Sequence, residues 1–210
     1  ELGALIVFLR PLGLRLYRAA QVDDVLETRK SYDPSFRKLL SNLKHPEEQY
    51  FDLPKGLEAD LRHYQLVGYQ WFKSLSAYHL GGILADDMGL GKTLQTITYI
   101  LSEPSELAHL IIVPSSVVYN WKNEFEKFAP HLSVEVIQGH KEDRVKLIEA
   151  ASEVDVWITS YGTIRQDIGL YEGKSFQTVI LDEAQFIKNH TTKTAKAVHQ
   201  LVATRKYALS

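Results

Sequence analysis

The sequence predicts an α/β fold, a parallel sheet covered by helices on both faces. Short apolar runs alternate with helix-like segments from residue 57 onward. A glycine-rich turn ending in Gly91-Lys92-Thr93 joins one such run to a helix, and an acidic pair, Asp182-Glu183, directly follows another. Strands buried on both faces read as continuous apolar runs, and helices between them supply the crossovers that parallel strands need.

In chain order, helical spacing over residues 61–78 precedes a short apolar strand at 82–85 and a helix at 92–101. A strand at 110–113 and a helix at 117–128 come next, then a strand at 134–138 and a helix at 141–151. A strand at 156–159, a short helix near Thr163, a strand at 178–181, a helix at 194–202 and a strand at 206–210 complete the series. Ligands of such sheets bind beyond the carboxyl ends of the strands, and the polar motifs described below fall at those ends.

Residues 1–54 lack this alternation and form an accessory segment, with a hairpin around Pro11 and Gly13 and a helix over 25–43 broken at Asp33-Pro34. The LPKG stretch at 53–56 marks the boundary, leaving 55–210 as the principal domain. Glu1 is not an initiator methionine, and the strand-like KYALS end stops without a turn, so both ends are expected to continue in a longer protein.

Composition narrows the function classes. The chain is 45% hydrophobic and 24% charged, as ordinary globular domains are. No apolar run approaches the ~20 residues needed to span a bilayer, and no membrane partner is expected. The absence of cysteine rules out disulfides and thiolate metal sites within these residues, and the eight histidines show no metal-motif spacing. A net charge of −2 does not fit a protein that merely coats nucleic acid, so any such contact should be local.

The segment ILADDMGLGKT, residues 83–93, carries the first chemical motif. Asp86, Asp87, Met88, Gly89, Leu90 and Gly91 form a loop whose glycines let successive main-chain N–H groups turn inward on an anion. The helix that follows adds free N–H donors and the positive end of its dipole. Lys92 can reach the β- and γ-phosphates of a nucleotide, and the Thr93 hydroxyl can ligate Mg²⁺. The general phosphate-loop pattern would have glycine where Asp86 stands.

VILDEAQ, residues 179–185, carries the second motif, roughly 90 residues later. Asp182 would hold Mg²⁺, through water given that ion's tight hydration, and Glu183 would polarise the attacking water as general base. Upstream, Gln65 in LRHYQLVGYQW can donate and accept at once, matching the N6 and N7 groups of adenine. Tyr64, Val67 and Trp71 share its helical spacing, and Trp71 is read as a core residue.

In this order the motifs resemble those of the Swi/Snf-type DNA-dependent ATPases of helicase superfamily two. The likeness runs over nearly three quarters of the chain and includes Asp86, LIIVPSSVVYNWKNEF with its Trp121, ITSYGTI, and Lys188-Asn189 after the acidic box. The resemblance implies a RecA-like first lobe of P-loop NTPase type that binds ATP and Mg²⁺, truncated at its C-terminal end. It implies catalytic roles for Lys92, Glu183 and Gln185, and duplex DNA backbone contacts from Ser115, Ser116, Thr159, Ser160 and Tyr161. Hydroxyls and helix starts suit contacts that position a protein without reading sequence. Ser115 or Ser116 is also placed to cap the helix beginning near Val117, and Trp121 on that helix reads as core.

The family usually has His where Gln185 stands, so coupling between hydrolysis and DNA binding is expected to be wired differently here. The resemblance further implies a second RecA-like lobe supplying arginine fingers, translocation on double-stranded DNA, and a DNA-bound protein as remodelling target. A docking module without significant hydrolysis is the alternative. A GTPase or nucleotide kinase is disfavoured, because no Asn-Lys-x-Asp signature is present and the adenine-type glutamine precedes the loop. Tight motif spacing and the DEAQ box favour a bacterial, cytoplasmic, nucleoid-associated setting over a nuclear one.

Overall fold

Six parallel strands form one sheet in the order β1-β6-β5-β2-β4-β3. The computed structural model describes residues 48–84 and 91–210, with positions 34, 38, 41 and 45. The expected hairpin lies outside the described residues, as does most of the expected helix at 25–43. The strands are β1 (Gly82–Leu84), β2 (His109–Val113), β3 (Val134–Ile137), β4 (Val156–Ser160), β5 (Ser175–Leu181) and β6 (Val202–Leu209). The α-helices are α1 (His63–Ala77), α2 (Lys92–Leu101), α3 (Val118–Phe128), α4 (Lys141–Ala150), α5 (Tyr161–Asp167) and α6 (Lys193–His199).

Side chains alternate across each strand, so one sheet feeds two cores. Ile111, Val113, Ile158, Ile180 and Tyr207 face α1, α2 and α3, whose Phe72, Ile97, Trp121 and Phe125 cover them. Leu110, Ile112, Trp157, Val179 and Leu181 face the other way, against Ile148 of α4, Ile164 of α5 and Val198 of α6. Both faces are therefore covered, as the continuous apolar runs require. On the first face Phe72, Tyr99 and Tyr207 meet at ring separations of 5.1–5.3 Å.

Several boundaries differ from expectation, among them the start of β5, at Ser175 rather than 178. Val202 was expected to end the last helix, but that helix stops at His199 and Val202 opens β6, with 58% of its surface exposed. The first half of β6 is half solvated, so it lacks the all-apolar signature that revealed the other strands. The helix expected from Val117 is preceded by a 3₁₀ turn at Ser115–Val117, and neither serine caps α3. Trp71 is half-buried, and the aromatic core positions of α1 are Tyr69 and Phe72.

Candidate active site

The site assembles at the carboxyl ends of β1, β2 and β5. Gly91, at φ +91°, ends the phosphate loop and opens α2, so Lys92 and Thr93 occupy the first turn of that helix. The remaining loop residues assigned to phosphate, Asp86 through Leu90, lie outside the described residues. Gln65 reaches the loop's end: a Cβ built on Gly91 would stand 2.4 Å from its amide nitrogen. The Gln65 Oε1 accepts from the Arg62 N–H at 2.9 Å, which fixes the amide's orientation. Gly68 makes room for α2 in the same region, since a Cβ there would lie 1.8 Å from Gln95 Oε1. These close approaches bring Gln65 against Gly91, the described end of the glycine-rich loop.

The acidic box follows β5. The Asp182 N–H donates to the Ile112 carbonyl at 2.8 Å, which carries the β5–β2 ladder one residue past the strand. Alternation then sends the Asp182 side chain to the same face as Ile180, toward α3. There the Trp121 indole N–H donates to Asp182 Oδ2 at 3.0 Å, while Oδ1 accepts the Glu183 N–H at 3.0 Å. From the other face the Tyr161 hydroxyl donates to the Asp182 main-chain oxygen at 2.5 Å. Burial pushes the Asp182 carboxyl above its ordinary value, with the Glu183 charge acting in the same direction; the Trp121 hydrogen bond and the Lys92 charge oppose it.

Glu183 sits at φ +48°, ψ +53°, a left-handed conformation rare outside glycine. Its carboxylate accepts a hydrogen bond from the Gln185 amide. Strain of this kind persists only where surrounding structure fixes it, and it concentrates at functional sites. Both Glu183 and Gln185 are exposed.

Lys92, Thr93, Asn120, Trp121, Asp182 and Glu183 share one cleft of about 290 Å³, close to the lower end of ligand pockets, about 300–1,000 Å³. The Lys92 ammonium donates to the Ser210 carbonyl at one wall. Thr93 and Asp182 thus face the same hollow, a hydroxyl and a carboxylate, and among the described residues lining it there is no thiolate or imidazole. Hard oxygen donors of this type suit Mg²⁺, which takes one or two carboxylates and completes its shell with phosphate and water.

The segments assigned to DNA divide. Ser115 and Ser116 are exposed on the 3₁₀ turn after β2. The segment at 159–161 points inward instead. Thr159 is fully buried and its hydroxyl donates to the Ile137 carbonyl at 3.0 Å. The Ser160 hydroxyl accepts from the Thr163 N–H to cap α5, and Tyr161 is turned to the acidic box. Short side chains at a strand-to-helix junction satisfy that junction first, which removes these three from the solvent face. Sequence reasoning missed Asn120 in the cleft, the hydrogen bond from Trp121, and Phe186, which is exposed and stacks on Tyr161 with ring centroids 5.1 Å apart. Trp121 is buried as expected, but its N–H gives it a polar task that an apolar stripe does not reveal.

A family profile described as the SNF2-related domain matches residues 64–210. The chain is 40% identical over 175 residues to the TATA-binding protein-associated factor MOT1 of Saccharomyces cerevisiae, a match covering 76% of this chain and 9% of that protein. It is 39% identical over 165 residues to the helicase ssl-1 of Caenorhabditis elegans, covering 75% of this chain and 7% of the relative. Among solved structures, the Sulfolobus solfataricus SWI2/SNF2 ATPase core in complex with dsDNA superimposes with a TM-score of 0.68 at 41% identity, covering 76% of this chain and 34% of that one. The chain therefore spans under a tenth of these two curated relatives and about a third of the solved core.

Proposed function

We propose, from the premise that this chain belongs to the SNF2-related domain family, that it is the ATP-binding lobe of a DNA-dependent ATPase. The parent protein would spend ATP on translocation along double-stranded DNA and on remodelling protein–DNA complexes. One observation carries the reading: Lys92 and Thr93 after β1, and Asp182 and Glu183 after β5, line a single cleft.

The chemistry follows from where those groups sit. The first turn of α2 offers main-chain N–H donors to the phosphates. Lys92, which lines the cleft, binds a phosphate oxygen. Thr93 and Asp182 would hold Mg²⁺, which would neutralise phosphate charge and help position the γ-phosphoryl group. Glu183, on its left-handed turn beside Asp182, takes the proton of the attacking water. Gln65 reads adenine from its place against Gly91. The arginine that stabilises the transferring phosphoryl group comes from a second lobe, a contribution of ~10³- to 10⁵-fold in rate.

Duplex DNA as partner is supported by the solved relative in complex with dsDNA, and a DNA-bound target by the name of the MOT1 relative. Ser115 and Ser116 are the exposed hydroxyls placed to meet the DNA backbone. The test is Glu183→Gln in the intact protein. DNA-stimulated hydrolysis should fall by roughly 10²- to 10⁴-fold, the usual worth of a general base, with ATP binding retained. Unchanged hydrolysis would overturn Glu183 as the base, and DNA-dependent activity that is indifferent to the loss of hydrolysis would overturn the motor reading in favour of a docking module.

A further inference from the structure

We propose that Trp121 is a positioning residue for the reaction: its indole N–H holds the Asp182 carboxylate in the one orientation that serves the metal. The inference rests on the reading of Asp182 as the Mg²⁺ carboxylate and adds to it the device that aims this side chain.

An aspartate at the end of a strand has freedom about two side-chain torsions. Here both oxygens are engaged, Oδ2 by Trp121 Nε1 and Oδ1 by the Glu183 N–H, each at 3.0 Å. A carboxylate oxygen has room for about two hydrogen bonds or ligands, so each retains a site for a metal-bound water. The two donors fix the carboxylate plane without closing it.

Tryptophan suits this task for three reasons. The indole N–H only donates and carries no charge, so it neither competes for Mg²⁺ nor repels it. The ring is held, with 2% of its surface exposed, between α3 and the sheet beside Phe125. And α3 begins just after the exposed turn Ser115–Val117 on the neighbouring strand β2. The donor is therefore built into the same helix whose approach carries the serines assigned to DNA. A displacement of that helix start moves the donor on Asp182 directly. By contrast, the indole N–H of Trp157, on the other face of the sheet, donates to the Ala151 main-chain carbonyl at 3.2 Å and touches no residue of the cleft.

The test is Trp121→Phe in the intact protein, which keeps an aromatic ring and removes the donor. The Mg²⁺ concentration for half-maximal ATPase activity should rise by roughly tenfold or more, the usual cost of losing an outer partner of a metal ligand. The turnover number should fall, while affinity for ATP measured without Mg²⁺ should stay as in the wild type. A purely structural role would disturb both nucleotide affinities together. Unaltered Mg²⁺ dependence in a folded Trp121→Phe protein overturns the inference. With Asp182→Ala as a parallel variant, loss of Mg²⁺-dependent hydrolysis keeps the reading of the site while Trp121→Phe decides its own role; full activity in Asp182→Ala overturns the site itself.

Should Trp121→Phe fail to fold, the wild-type Trp121 indole resonance of the intact protein, assigned by selective labelling, decides. The Trp121 N–H should exchange slowly with solvent and shift when Mg²⁺ and ATP are added together. A resonance in fast exchange that ignores Mg²⁺ overturns the inference.

Discussion

Replacing Gly91 with alanine tests whether Gly91 and Gln65 are mechanically one unit. The backbone there has φ +91°, where a Cβ costs about 1–2 kcal/mol. The new methyl group would also stand 2.4 Å from Gln65 Nε2 and 3.2 Å from its Cδ, too close for either to stay. Gln65 must swing away and give up its 2.9 Å bond to the Arg62 N–H, a net loss of about 1 kcal/mol. The sum is about 2–3 kcal/mol, which for a domain of this size lowers the melting temperature by roughly 4–12 °C.

Thermal denaturation of Gly91→Ala, Gln65→Ala and the double variant measures it. Gln65→Ala removes the clash in advance, so the double variant should be more stable than the sum of the singles implies, by about 1 kcal/mol. The remaining penalty belongs to the backbone alone. ATP affinity should fall in Gly91→Ala as well, because the same methyl group intrudes on the start of α2. Strict additivity, within about 0.3–0.5 kcal/mol, would refute the claim that Gln65 and Gly91 are in contact in the folded protein.

Two further outcomes follow from the described residues. Arg144→Ala strands the buried Asp167, whose oxygens now accept from Arg144 Nε and a terminal nitrogen at 2.6 and 2.8 Å. Urea denaturation should show a loss of about 3–5 kcal/mol, as expected for a broken buried pair. For His109, burial holds the imidazole below its ordinary value of 6.5, and its Nδ1 is buried without a hydrogen-bond partner. The unfolded chain therefore binds the proton more readily. Its stability contribution is complete above pH 6.5 and declines as pH falls below that value toward the folded-state pKa. His109→Gln should flatten this acid decline in melting temperature between about pH 7.5 and 5, and an identical decline in the variant would contradict it.

Much of this arrangement was legible because the central strands are apolar on both faces. Residues 110–113, 156–159 and 178–181 could be nothing else, and the two motifs that follow β1 and β5 are spaced by the intervening crossovers. The same logic failed at Val202–Leu209, whose opening residues are solvated although they continue the strand. The hydroxyls of Thr159, Ser160 and Tyr161, given a DNA role by the resemblance alone, are buried at their junction. A hydroxyl in sequence has two physical uses, binding a partner or closing a local turn, and only the packed junction between β4 and α5 decides between them. Trp121 was legible as core and illegible as a donor, because apolar spacing describes the ring and says nothing of where its N–H points.

The left-handed turn at Glu183 shows what the fold contributes beyond the motif. Strand β5 delivers Asp182 to the sheet's edge, but an extended chain would carry the next side chain to the opposite face, away from the cleft. Reversal at Glu183 prevents that at a cost of about 1–2 kcal/mol for a residue with a Cβ. Three hydrogen bonds around Asp182 offset it: the ladder bond to Ile112, the Tyr161 hydroxyl on the carbonyl, and the Glu183 N–H returned to the Asp182 carboxylate. Tyr161 comes from one face of the sheet and Ile112 from its ladder, so no single helix shift releases both bonds. The geometry of the acidic pair is thus set by β2 and α5 as much as by the residues of the box, which is why a motif of a few letters can act only in this fold.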